Sequence, residues 1–129
     1  SNWRKVFEVL PYSNLGINYD PSHFVWQQMD YIHPLYEFRD KIFQVHFKDI
    51  KLLQEKLADV GVMANPLEYM VPKLCGLGDI SWGKFISALT DIDFQGCGIM
   101  EIEDKAFEDT LEDAKKAVLL TEKYLRNYI

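Results

Sequence analysis

Three short apolar runs, each breaking off at a polar residue and each followed by a helical pattern, constrain this chain more than any other feature. The runs are Leu15-Gly16-Ile17-Asn18-Tyr19-Asp20, Ile42-Phe43-Gln44-Val45-His46 and Gly98-Ile99-Met100-Glu101. Runs of this length between turn residues read as buried β-strands. Strands alternating with helices imply a parallel sheet with right-handed crossovers. Such sheets gather the C-terminal ends of their strands on one rim, where α/β proteins place their sites. Asp20, His46 and Glu101 therefore converge on that rim, although they are far apart in sequence.

The helical signals fill in the order. Trp3, Val6, Phe7 and Leu10 recur at helical spacing, and Pro11 ends the pattern. Asp30 caps a second helix reaching Arg39, with Pro34 in or near its first turn. Leu52 to Val60 is weakly amphipathic, with Gly61 as its stop. Residues 65–78 carry two prolines and two glycines and read as a long irregular loop, a feature that is usually functional. Asp79 or Ser81 caps a third helix, whose buried face is Trp82, Phe85, Ile86 and Leu89. The last helix starts near Ala106 and buries Phe107, Leu111, Ala114, Val118 and Leu125.

This α-β-α-β-loop-α-β-α order fits one α/β unit over residues 1–129. The strand count sets its limit. A closed (β/α)8 barrel takes eight strands and about 250 residues. Three parallel strands leave two sheet edges open. The expectation is a partial barrel that completes its sheet by homo-oligomerisation or belongs to a longer polypeptide.

The 129 residues carry a net charge of −6, which speaks against a nucleic-acid backbone as the main partner. No run of about 18 apolar residues and no signal peptide is present, so no membrane partner is expected and the default location is cytoplasmic. Cys75 and Cys97 are too few for a disulfide scaffold and lack zinc-finger spacing. Phosphate-binding Gly-rich loops and nucleophile elbows are missing as well.

Asp, His and Glu together suit Mn²⁺, Co²⁺, Zn²⁺, Mg²⁺ or Fe²⁺. Each also has an ordinary structural role. An Asp before Pro sets a turn, a His in an apolar run packs in the core, and a Glu in Glu101-Ile102-Glu103-Asp104 caps a helix or faces solvent. Their joint placement is what raises a shared metal site to equal standing. His23 sits three residues past Asp20 and is placed either to touch substrate or on the surface. Trp26 either walls the pocket or packs. Lys48 and Asp49 either pair with each other or bind polar ligand groups. Lys73 is the cation of the long loop, either reaching a ligand or standing in solvent.

Four stretches, taken together, resemble the sugar phosphate isomerase/epimerase family. They are residues 15–23 (Leu15 to His23), Phe43-Gln44-Val45-His46-Phe47-Lys48-Asp49, Gly76-Leu77-Gly78-Asp79-Ile80-Ser81-Trp82 and Met100-Glu101-Ile102-Glu103-Asp104. That family belongs to the xylose isomerase-like TIM barrels, which also include endonuclease IV. The resemblance runs over nearly the whole chain, in order. It implies the C-terminal part of such a barrel, strands six to eight. It further implies that Asp20, His46 and Glu101 bind a divalent metal and that His23 contacts a sugar substrate. Glu101 would double as one of two acid/base carboxylates that move the proton beside a carbonyl. The family's fourth ligand, a glutamate from an earlier strand, has no counterpart in residues 1–129. Where the family often has an arginine before a Pro-Gly turn, this chain has Pro72-Lys73-Leu74-Cys75-Gly76, with Lys73 nearest to that role.

The leading expectation is a metal-dependent isomerase or epimerase of a sugar or sugar derivative, with this chain inactive alone. The rivals are a non-catalytic barrel module for assembly or ligand binding, and an endonuclease-IV-like metal-dependent hydrolase.

Overall fold

The computed structural model describes residues 2–129. In chain order the elements are α1 (Asn2–Val9), β1 (Ile17–Tyr19), α2 (Ser22–Val25), α3 (His33–Glu37), β2 (Ile42–Phe47), β3 (Asp49–Leu52), α4 (Gln54–Val60), β4 (Met70–Lys73), α5 (Trp82–Asp91), β5 (Cys97–Met100) and α6 (Leu111–Leu125). Strands β1, β2 and β5 form a parallel sheet in the order β1-β2-β5. This is the expected partial (β/α)8 arrangement, with three strands, their helices and a helix in front.

Side chains alternate across a strand, so one face of this sheet can be apolar and the other polar. Tyr19, Val45 and Phe47 point to the helix side and are buried. There they join Phe24, Leu35, Phe38, Trp82, Phe85, Ile86 and Leu89 in one core. Trp3 of α1 meets Tyr19, Phe24 and Phe38 edge-on at ring separations of 5.4–5.7 Å, which holds the first helix to the sheet. Asn18, Gln44 and His46 occupy the opposite face, the inner side of a barrel wall.

The 65–78 stretch differs from expectation. Its middle is not irregular: β4 pairs antiparallel with β3, from Asp49↔Lys73 to Leu52↔Met70. The strands are four residues each and lie apart in sequence, separated by α4 and a 3₁₀ turn, so no hairpin signal links them. Pro72 also argues against a strand, but a two-stranded ribbon leaves each strand a free edge where its missing N–H costs nothing. Residues 66–68 form that 3₁₀ turn, closed by a capping box between Asn65 and Glu68.

One helix start stands where expected and another moves. Ser81 is the N-cap of α5 by position but makes no side-chain cap bond, and Asp79 instead accepts the Leu52 N–H at 2.7 Å. Helix α6 begins at Leu111, where Thr110 accepts from the Asp113 N–H; Asp104 caps a separate 3₁₀ turn at Lys105–Phe107. Two good N-cap residues six apart divide what periodicity alone joins.

The loop from β4 to α5 lies close over β3. A Cβ on Gly78 would stand 2.2 Å from Asp49 Oδ1 and 2.3 Å from the Ile50 carbonyl oxygen. Gly78→Ala is therefore expected to destabilise the chain by about 2–4 kcal/mol, since both obstacles are fixed in place. Urea unfolding checks it, and an unchanged midpoint would show that the loop stands off the hairpin.

Candidate metal centre

The parallel ladder sets the site. His46 pairs with Ile99 and Phe47 with Met100, and the Glu101 N–H continues the ladder onto the Phe47 carbonyl at 3.1 Å. Glu101 is thereby held beside the end of β2. Asp20 follows β1 directly. Its Oδ1 accepts the Ser22 N–H at 2.8 Å, a turn that Pro21 predisposes and that leaves Oδ2 facing the rim.

Candidate ligand atoms of Asp20, His46 and Glu101 all lie within 4.8 Å of one another. His46 Nδ1 is 3.1 Å from Glu101 Oε2 and 3.9 Å from Asp20 Oδ2. Metal–nitrogen and metal–oxygen bonds of about 2.0–2.2 Å put two donors on one ion at most about 4.2 Å apart. Both measured distances satisfy that bound. One imidazole and two carboxylates are also a donor set that a hard or borderline divalent cation accepts. The residues fit a divalent metal.

The remaining rim residues fall into two groups. His23 Nε2 lies 3.6 Å from Asp20 Oδ2, with its ring largely exposed and edge-on to Trp26. It belongs to the cluster and faces outward. Lys48 Nζ lies 2.8 Å from Glu103 Oε2 and 3.7 Å from Glu101 Oε2. Burial would lower the Lys48 pKa, but the hydrogen bond to Glu103 and the charges of Glu101, Glu103 and Asp20 outweigh it and raise it. Lys48 thus stays cationic among three carboxylates.

Lys73 is turned elsewhere. Its Nζ pairs with Asp104 Oδ1 at 3.0 Å, and Asp104 also accepts from the Leu74 and Ala106 N–H groups. Burial alone would raise the Asp104 pKa; Lys73 and these backbone donors hold it below the ordinary value. Lys73 staples β4 to the segment after Glu101, as a neighbour of the site rather than a free cation over it.

Asp49 does not pair with Lys48. It is fully buried, and its two oxygens take five donors: Ile50 N at 2.9 Å and Ile80 N at 3.2 Å on Oδ1, Gly76 N at 3.0 Å, Gly78 N at 3.3 Å and Trp82 Nε1 at 2.8 Å on Oδ2. Burial raises its pKa, and the hydrogen bonds from Trp82, Gly76, Ile80 and Ile50 counter part of that rise. This carboxylate organises the loop that borders the rim. Between Lys48 and Lys51, nothing in the local sequence separates it from a solvent-facing Asp.

Comparison with known proteins adds the relationship. A family model described as the xylose isomerase-like TIM barrel matches residues 1–124. The uncharacterized protein YfiH of Bacillus subtilis (strain 168) is 30% identical over 98 residues, covering 70% of this chain and 31% of YfiH. A xylose isomerase domain protein from Planctomyces limnophilus superposes with a TM-score of 0.70 at 19% identity, over 98% of this chain and 43% of that one. The chain therefore spans about a third of the curated relative and less than half of the structural one.

Proposed function

The chain belongs to the xylose isomerase-like TIM barrel family, and from that premise we propose that it carries part of a divalent-metal centre for isomerising or epimerising a sugar or sugar derivative. The observation behind the reading is the convergence of Asp20, His46 and Glu101 within 4.8 Å at the ends of paired strands. When bound, the ion supplies Lewis acidity, polarising a substrate carbonyl and making the neighbouring C–H more acidic.

The chain's own residues do the rest. Asp20 and His46 orient. Glu101 directs Oε2 at His46, and its Oε1 takes the proton from the carbon beside the carbonyl. Lys48 holds the Glu101–Glu103 pair in place and offsets negative charge as it develops. His23, exposed at the cluster's edge, donates to a substrate hydroxyl. Re-protonation at a second carbon, or on the opposite face, needs an acid on the far side of the substrate. A single glutamate on one wall does not provide that, so the 129-residue chain alone is expected to bind metal without turnover.

The test is titration of the chain with Mn²⁺, Co²⁺ and Zn²⁺ by calorimetry. Uptake of one ion per chain supports the reading. No uptake of any of them would favour a non-catalytic barrel module.

We further propose that the chain self-associates. β1 and β5 each pair on one side only, and Phe43 and Ile99 stand roughly half exposed nearby. Unpaired edges with apolar side chains template strand addition. Size-exclusion chromatography with light scattering is expected to give a dimer or larger; a well-folded monomer would sink the proposal.

A further inference from the structure

The His46 ring has two nitrogens, and the carboxylates account for one. The other, Nε2, faces two primary amides: Asn18 Nδ2 at 3.0 Å and Gln44 Nε2 at 3.3 Å. Strand register makes this meeting unavoidable. Asn18 of β1 is paired with Gln44 of β2, and Gln44 precedes His46 by two residues on the same face. Among the described residues, the ion-pair contacts of His46 fall on Nδ1 and not on Nε2.

A neutral imidazole carries one N–H and one lone pair. With amide nitrogens turned toward it, Nε2 accepts, which leaves the ring proton on Nδ1, 3.1 Å from Glu101 Oε2. In that tautomer Nδ1 has no lone pair for a cation. A primary amide, unlike a hydroxyl-free cation or a carboxylate, presents donors on one side and an acceptor on the other, and a half-turn exchanges them.

We propose that Asn18 and Gln44 are positioning residues that clamp the His46 ring in both tautomers, reversing from donors to acceptors when a divalent cation takes Nδ1. The inference rests on Asp20, His46 and Glu101 being the ligands. On binding, the Nδ1 proton passes to solvent and Nε2 takes one from solvent. The ring stays neutral, and Nε2–H donates to an amide oxygen. Two amides keep the ring's plane fixed through the exchange, so Nδ1 stays aimed between Asp20 and Glu101.

The experiment uses the ¹⁵N-labelled chain, reading histidine tautomers by NMR, together with Co²⁺ titration calorimetry. The wild type is expected to carry Nδ1–H when metal-free and Nε2–H with Zn²⁺. Leucine at both positions (Asn18→Leu with Gln44→Leu) leaves the carboxylates to keep the metal-free proton on Nδ1, removes the acceptors for Nε2–H, and is expected to weaken Co²⁺ binding about 10–100-fold, the usual cost of losing a ligand's supporting partner. Asn18→Asp offers only an acceptor; it should shift the metal-free ring to Nε2–H and keep Co²⁺ affinity within a few-fold of wild type or better. A double variant that binds Co²⁺ as tightly as wild type would overturn the clamp. So would Asn18→Asp weakening Co²⁺ binding as much as the leucines do. A metal-free wild type already in the Nε2–H form would overturn the reversal. Should the wild type take up neither Co²⁺ nor Zn²⁺, the ligand reading fails, and the clamp is judged by whether Asn18→Asp moves the metal-free ring to Nε2–H.

Discussion

His46→Ala is expected to abolish divalent-metal uptake by the chain. His46 contributes the one nitrogen of the ligand set and stands between the other two ligands, 3.1 Å from Glu101 and 3.9 Å from Asp20. Without it, two carboxylates remain on strands that are not neighbours in the sheet. Two oxygens with nothing between them hold a hydrated ion only weakly. The expected loss exceeds the roughly 10–100-fold that follows from removing a supporting partner alone. The fold should tolerate the change, because the ring lies on the polar face of the sheet and not in the core. A change in unfolding free energy under about 1 kcal/mol is expected. Calorimetric titration with Co²⁺ beside urea unfolding separates the two effects. Uptake that persists in a folded His46→Ala chain would refute the ligand set.

Asp49→Ala should do the reverse, costing stability first. Five N–H donors converge on this buried carboxylate. Alanine leaves all of them without a partner, and water reaches them only if the loop opens. A buried donor without an acceptor costs about 1–3 kcal/mol, and the loop's partial opening relieves some of the sum. The expected net loss is about 3–5 kcal/mol, with a melting temperature lower by roughly 10–20 °C. Asn is a poor rescue. Its one oxygen serves Ile50 and Ile80, but its NH₂ then meets the Gly76, Gly78 and Trp82 donors. A thermal scan of both variants checks this. A shift of only a degree or two would mean that the loop from Gly76 to Trp82 is held by its apolar contacts instead.

The sheet was legible because its strands differ sharply from what surrounds them. Ile17, Val45 and Ile99 lie in apolar runs closed by polar residues, and parallel strands have nowhere to hide such runs except between layers. The Asp20–His46–Glu101 cluster was legible for the same reason: strand ends are where these sheets expose side chains. The β3–β4 ribbon was hidden by distance, since Ile50 and Pro72 pair across a helix and a turn that have their own local signals. Lys73 was misplaced because pairing with Asp104 depends on where two loops meet. Asn18 and Gln44 gave no signal, because a polar residue within a strand is unremarkable until register shows what faces it.

The three candidate ligand positions stand at the ends of three different strands, one for each member of the sheet. A single-residue slip of any strand would turn its ligand to the helix side. Under the proposed function a cation on this site would read register as well as chemistry, binding only the chain in which all three strands are aligned. By mass action, an ion present at a hundred times its dissociation constant adds about 2.7 kcal/mol to the folded state. For a sheet with two free edges, that is a clasp across the wall: removing metal with a chelator would loosen strand alignment itself.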